Sequence, residues 1–140
     1  MKKFVQKHIL FIALSQALTA MLMSLFFSEV LHFTPCVLCW YQRICMYPLV
    51  AILSVGILRE DKKIHQYVLP LSVGGFLISI YHNLLYYHIL PESIAPCTAG
   101  VSCTTRLIVW FGFISIPLLA LIAFTVISLC MIIHMRSNKE

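Results

Sequence analysis

The sequence predicts an all-α membrane protein: a four-helix bundle with both termini in the cytoplasm and two outward loops that carry cysteine. Three observations predict it. Hydrophobic residues make up 61% of the 140-residue chain and charged residues only 11%, more apolar surface than a soluble domain of this size can bury. The charges leave four long uncharged runs, at residues 8–28, 44–58, 64–91 and 107–135. The basic residues fall at alternate ends of those runs. Lys2, Lys3 and Lys7 precede the first, Arg59, Lys62 and Lys63 separate the second from the third, and Arg136 and Lys139 follow the fourth. In a four-span chain all eight lie on one side, which the positive-inside rule makes the cytoplasm. The formal net charge of +5 therefore records topology and gives no argument for nucleic acid.

A span needs about 20 apolar residues, and lipid leaves the backbone no partner but itself, so each run reads as a helix. The chain reads as one integral membrane domain, residues 1–140. The first span, about 8–28, has the basic start and apolar stretch of a signal peptide. It is longer than such a segment and precedes three more spans, so it is read as uncleaved. A brief outer loop, 29–34, leads to the second span, 35–58. Thr34 suits an N-cap and Pro35 the first helical position. Trp40 and Tyr41 suit an interfacial aromatic belt, and Pro48 lies deeper. A charged turn precedes the third span, 66–89, where Gly74 and Gly75 permit close helix approach. A larger outer loop, 91–106, holds Pro91, Pro96 and Gly100. Residues 107–113 are apolar and aromatic and suit the interface. The fourth span, 115–135, has Pro117 in its first turn.

The chemistry is concentrated in Cys36-Val37-Leu38-Cys39-Trp40-Tyr41-Gln42-Arg43. On a helix starting here, residues i, i+3 and i+7 share a face, which aligns Cys36, Cys39 and Arg43. The orphan N–H groups and the dipole at this end favour an anion, so at least one cysteine is expected to be a thiolate nucleophile. Cys97 and Cys103 lie in the other outer loop, where five intervening residues and Ala99-Gly100 allow a bridged turn. Cys45 and Cys130 fall inside apolar runs and read as small hydrophobes. His82, about two turns below the outer surface, is costly in a span and reads either as a bundle hydrogen bond or as a cofactor contact. His88 reads as interfacial.

Two outer cysteine pairs can relay electrons by thiol–disulfide exchange. The electrons then need an exit. The sequence has no dinucleotide-binding glycine pattern, no Cys-x-x-Cys-His and no P-loop. A quinone dissolved in the bilayer remains, seated against Cys39, with Arg43 steadying the charge. Two readings of another class compete. Cys36, Cys39, Cys97 and Cys103 can in principle hold a structural Zn²⁺, or the cysteines can be structural disulfides of a membrane scaffold, which leaves Arg43 without a purpose at membrane depth.

The chain resembles the DsbB/BdbC family of membrane thiol–quinone oxidoreductases over nearly its whole length. The resemblance rests on residues 35–43, the four spans and the second cysteine pair, and extends less specifically to His82 and to Phe111-Gly112 ahead of Pro117. It implies disulfides Cys36–Cys39 and Cys97–Cys103, and reoxidation of an extracytoplasmic thioredoxin-fold dithiol oxidase of the DsbA/BdbD kind. The electrons pass to menaquinone or ubiquinone at a bacterial plasma membrane, which sustains disulfide formation in exported proteins. Cys97 is attacked by the partner, Cys103 pairs transiently with Cys36, and Cys39 becomes the thiolate facing the quinone. Arg43 matches the quinone-side arginine, and His82 a quinone-proximal histidine by position. The short second loop is closer to BdbC-like forms, which suggests a Gram-positive-type host and menaquinone. A vitamin K epoxide reductase-like protein would carry the reactive pair on a late helix, whereas here the pair opens the second span.

Overall fold

The structure is a computed structural model and describes residues 1–95, 102–104, 109–110 and 114–139. Four long helices stand among the described residues: α1 (Lys2–Leu25), α2 (Val37–Leu58), α3 (His65–Tyr86) and α4 (Ile116–Lys139). Each is long and apolar enough to cross a membrane. At 1.5 Å per residue, even the 22-residue helices reach about 33 Å, the thickness of a hydrocarbon core. α1 packs along α2 and α4, and α3 along α2 and α4, which closes a ring of four.

The boundaries differ from the sequence reading in instructive ways. The basic head is helical from Lys2, because nothing in it breaks a helix. α1 also continues past Leu25 as a π-helical turn, Phe26–Val30, before His32 turns the chain at φ 53°. α2 starts at Val37 with Cys36 as its N-cap, not at Pro35 behind Thr34. α3 stops at Tyr86, and His88 adopts φ 57° just beyond it. The segment before α4 holds two two-residue strands, β1 (Val109–Trp110) and β2 (Ile114–Ser115), paired antiparallel.

The inner part of the ring is filled from all four helices. Leu10, Ala13 and Ala17 of α1 meet Met46, Leu49 and Leu53 of α2, Val68 of α3, and Phe124, Ile127 and Met131 of α4. The three- and four-residue spacing of these positions is the helical period that places a stripe on one face. Gly75 is needed here, because a Cβ at that position would run into the Phe124 ring. Ser72 and Ser128 hydrogen-bond across the α3–α4 seam. Outward faces carry Phe11, Ile44, Leu77, Ile122 and Ile133 in the open, a pattern costly in water and natural in lipid.

Toward the α2 N-terminus a second buried cluster joins Cys36 and Leu38 to Leu85 and Cys103. The loop is tied down beside it. Tyr81 donates from its hydroxyl to the Ile94 carbonyl at 2.9 Å, and Thr104 donates to the Glu92 carboxylate at 2.6 Å.

Candidate active site

The site is built on the first turn of α2. Cys36 has extended backbone angles, φ −75° and ψ 172°, and its sulfur accepts the Cys39 backbone N–H at 3.4 Å. A cysteine thus does the capping work usually done by an oxygen side chain. The Cys36 and Cys39 sulfurs are 3.0 Å apart as free thiols. The pair that the resemblance implies as a disulfide is here in its dithiol form. Its sulfurs are in hydrogen-bond contact and about 1 Å from bonding distance.

Of the two sulfurs, Cys36 is the one whose surroundings favour the thiolate. The hydrogen bond from the Cys39 thiol holds its pKa down, while burial opposes and the His82 ring and the Cys39 N–H assist. The result is a Cys36 thiol held well below its ordinary value and a Cys39 thiol pushed above it by the same hydrogen bond. The His82 Nε2 lies 3.8 Å from the Cys36 sulfur, and its Nδ1 lies 3.3 Å from the Gln42 amide nitrogen. Gln42 also donates to the Ser79 hydroxyl at 3.3 Å. Cys36, Gln42, Ser79 and His82 are all buried.

The expected single face of Cys36, Cys39 and Arg43 is split. Cys36 turns toward α3. Cys39, Gln42 and Arg43 line a cavity of about 400 Å³ between α1, α2 and α4. The split follows from the cap: Cys36 lies outside the helical turn, so helical spacing does not govern its direction. The rest of the cavity wall is mainly apolar, with Met23 and Phe27 of α1, Phe33 and Pro35 of the connecting segment, and Ile116 and Leu119 of α4. Arg43 reaches across it to α1. It donates to the Ser24 carbonyl at 3.0 Å and the Ser28 hydroxyl at 3.5 Å, and its guanidinium carbon sits 5.4 Å from the Trp40 ring centre. The π-helical turn, a feature that recurs at functional sites, begins two residues after Ser24 and contains Ser28.

His82, read from the sequence as either a bundle hydrogen bond or a cofactor contact, is not among the residues lining this cavity. It is a thiol partner of Cys36 on the opposite side of α2. Cys103 is disulfide-bonded and buried beside Cys36 and Leu38. Cys97 lies outside the described residues, as do Arg106 and Phe111-Gly112. Cys45 and Cys130 are partly buried against the inner core, as their apolar surroundings suggested.

The sequence reading missed Gln42, Tyr47, Ser79 and the two α1 serines. Gln42 could have been found, since an amide inside a span carries the same cost that singled out His82. Tyr47 lines the cavity, and its hydroxyl and the Arg43 Nε are buried with no hydrogen-bond partner among the described residues. An apolar cavity holding two orphaned polar groups fits a quinone, whose ring is apolar and whose carbonyl oxygens accept hydrogen bonds.

Metal ligation has one candidate set among the described residues: Cys36, Cys39 and His82, with donor atoms within 4.8 Å of one another. Cys103 is disulfide-bonded and in that state offers no thiolate to a four-sulfur zinc site.

A buried, acidic thiol paired with a second thiol across a helix N-terminus, inside a four-helix membrane bundle, defines a multi-pass membrane thiol–disulfide oxidoreductase. Sequence comparison agrees. The family model "Disulfide bond formation protein DsbB" matches residues 6–134, and the chain belongs to that family. It is 49% identical over 124 residues to disulfide bond formation protein C of Bacillus subtilis (strain 168), covering 89% of this chain and 90% of that protein. It is 47% identical over 122 residues to a protein of Halalkalibacterium halodurans named "Probable disulfide formation protein C", covering 87% of this chain and 89% of the relative. No solved structure matches the chain.

Proposed function

We propose that the protein reoxidises an extracytoplasmic dithiol oxidase of thioredoxin fold and passes the electrons to a membrane quinone, so sustaining disulfide formation in exported proteins. One observation carries the reading: the Cys36–Cys39 pair lies between the buried cluster that contains Cys103 and the cavity that contains Arg43. Electrons can enter on one side of α2 and leave on the other.

The active end faces outward, by the placement of the basic residues, and both termini face the cytoplasm. A thiolate of the partner attacks Cys97 of the Cys97–Cys103 disulfide, and Cys103 leaves. Cys103 then attacks Cys36 of an oxidised Cys36–Cys39 pair, and the bond's electron pair departs with Cys39. That leaves Cys39 as an anion on the cavity wall. When bound, the quinone takes up two electrons and two protons, and the partner's two thiols supply both as they become a disulfide. Arg43, held by the Ser24 carbonyl, keeps a positive charge at the cavity with its Nε free to donate. Apolar walls exclude water from the thiolate. The short second loop, closer to BdbC-like forms, favours menaquinone. A purely structural role for the cysteines fits poorly with Cys36 and Cys39 as free thiols in contact.

The test is thiol trapping of the purified protein, read cysteine by cysteine, with a reduced thioredoxin-fold oxidase and with or without quinone. The expected result is reduction of all four outer cysteines without quinone and reoxidation of Cys36 and Cys39 once it is added. Sulfurs indifferent to both reagents would overturn the reading.

A further inference from the structure

The hydrogen-bond chain behind Cys36 has a direction, and it can be read from one end. Ser79 is fully buried, and its hydroxyl donates to the Gly75 carbonyl at 2.8 Å. A hydroxyl has one proton, so toward Gln42 the Ser79 oxygen can only accept. The Gln42 amide must then present its NH₂ group there, which settles an orientation that side-chain shape alone leaves open. The same nitrogen lies 3.3 Å from the His82 Nδ1. An amide nitrogen donates and does not accept, so Nδ1 must offer its lone pair. With Nδ1 accepting, the ring proton is left on Nε2, 3.8 Å from the Cys36 sulfur. Gln42 is 6% exposed and His82 2%, so water has little access to rearrange the chain.

We propose that Ser79 and Gln42 are positioning residues which hold His82 with Nδ1 as acceptor and the proton on Nε2, so that the ring presents a donor, and not a base, to Cys36. His82 then steadies negative charge on Cys36 without taking its proton, and no proton moves through the ring. Among the described residues, the other titratable or charged side chains on the outer half of the surrounding elements are Cys39, Tyr41, Arg43 and Tyr47 of α2, Tyr81 and Tyr86 of α3, Tyr87 and His88 just beyond it, and Glu92 of the outer loop. The outer half of α4 contributes none. The inference rests on Cys36 being a redox thiol. Its readouts need neither quinone nor a protein partner, so it can fail while the proposed electron path survives.

The experiment uses the full-length, reduced protein in detergent, labelled with ¹⁵N-histidine, with the His82 signals identified by their loss in His82→Asn. The expected spectrum shows Nε2 protonated and Nδ1 bare. Ser79→Ala removes the constraint on the Gln42 amide. It should give a mixed tautomer and raise the pH midpoint of Cys36 alkylation by about one unit, a tenfold change in proton affinity. Ser79→Thr, which keeps the hydroxyl, should restore both. A wild-type spectrum with the proton on Nδ1 overturns the proposal without any variant. An unchanged tautomer and midpoint in Ser79→Ala overturns it too, as does a Ser79→Thr protein that behaves like the alanine variant.

Discussion

The two sides of α2 surround their cysteines differently. On the side facing α3, Cys36 sits among buried polar groups that already have partners: His82, Gln42, Ser79 and the Gly75 carbonyl form one continuous chain. On the side facing α1 and α4, Cys39 borders an apolar cavity where Arg43 Nε and the Tyr47 hydroxyl have no partner among the described residues. Partnered groups hold a geometry, and unpartnered polar groups on a cavity wall are placed to meet a ligand. The difference shows how two sulfurs 3.0 Å apart can differ in role. One is tuned by fixed neighbours, and the other is exposed to whatever enters the cavity.

The largest effect should come from removing the cavity-side sulfur. Cys39→Ser is expected to bring quinone-coupled thiol oxidation to background, whereas Cys45→Ser and Cys130→Ser keep most of it. Equal losses in all three would erase the distinction between the sides. Next comes Arg43→Ala, which removes a charged donor worth about 1.5–3 kcal/mol. The apparent quinone KM should rise about tenfold or more, with little change in partner binding. An unchanged KM and turnover would remove Arg43 from the cavity's function.

The α3 side should respond through pH. The Cys36 pKa is lowered in the folded protein, so the thiolate persists below the ordinary thiol pKa and is lost as pH falls through the lowered value. Alkylation of Cys36 in the reduced wild type should therefore stay fast at pH values where an ordinary thiol has gone unreactive, and His82→Ala should move the midpoint upward. A midpoint that stays put would show that His82 contributes nothing to the thiolate. The smallest effect belongs to Ser28→Ala. Its 3.5 Å contact with Arg43 is the weaker of two, so the quinone KM should change by less than about twofold. A change as large as that of Arg43→Ala would make the hydroxyl the principal anchor.

Much of this was legible in the chain. Uncharged runs locate the four helices, and the Cys-x-x-Cys with its arginine locates the reactive turn. What the sequence obscured is tertiary. Helical spacing put Cys36 and Arg43 on one face, but the cap position rotates Cys36 out of the helix and toward α3. Cap identity was misread because Thr34 is the better capping residue by propensity, while the cap in the fold is a sulfur that accepts the Cys39 N–H. His82 was noticed for its cost in lipid, yet no periodicity within α3 could say which face of α2 it meets. Cys97 and the Phe111-Gly112 segment lie outside the described residues, and their roles rest on the resemblance alone.

The guanidinium of Arg43 is moored to a main-chain oxygen, that of Ser24. A mooring of this kind belongs to the course of the first span and not to its spelling. Substituting residue 24 leaves the oxygen where it was, so α1 can change composition along its length without loosening the cation. Only a change in the path of the helix, such as straightening the wide turn that follows, can take that berth away.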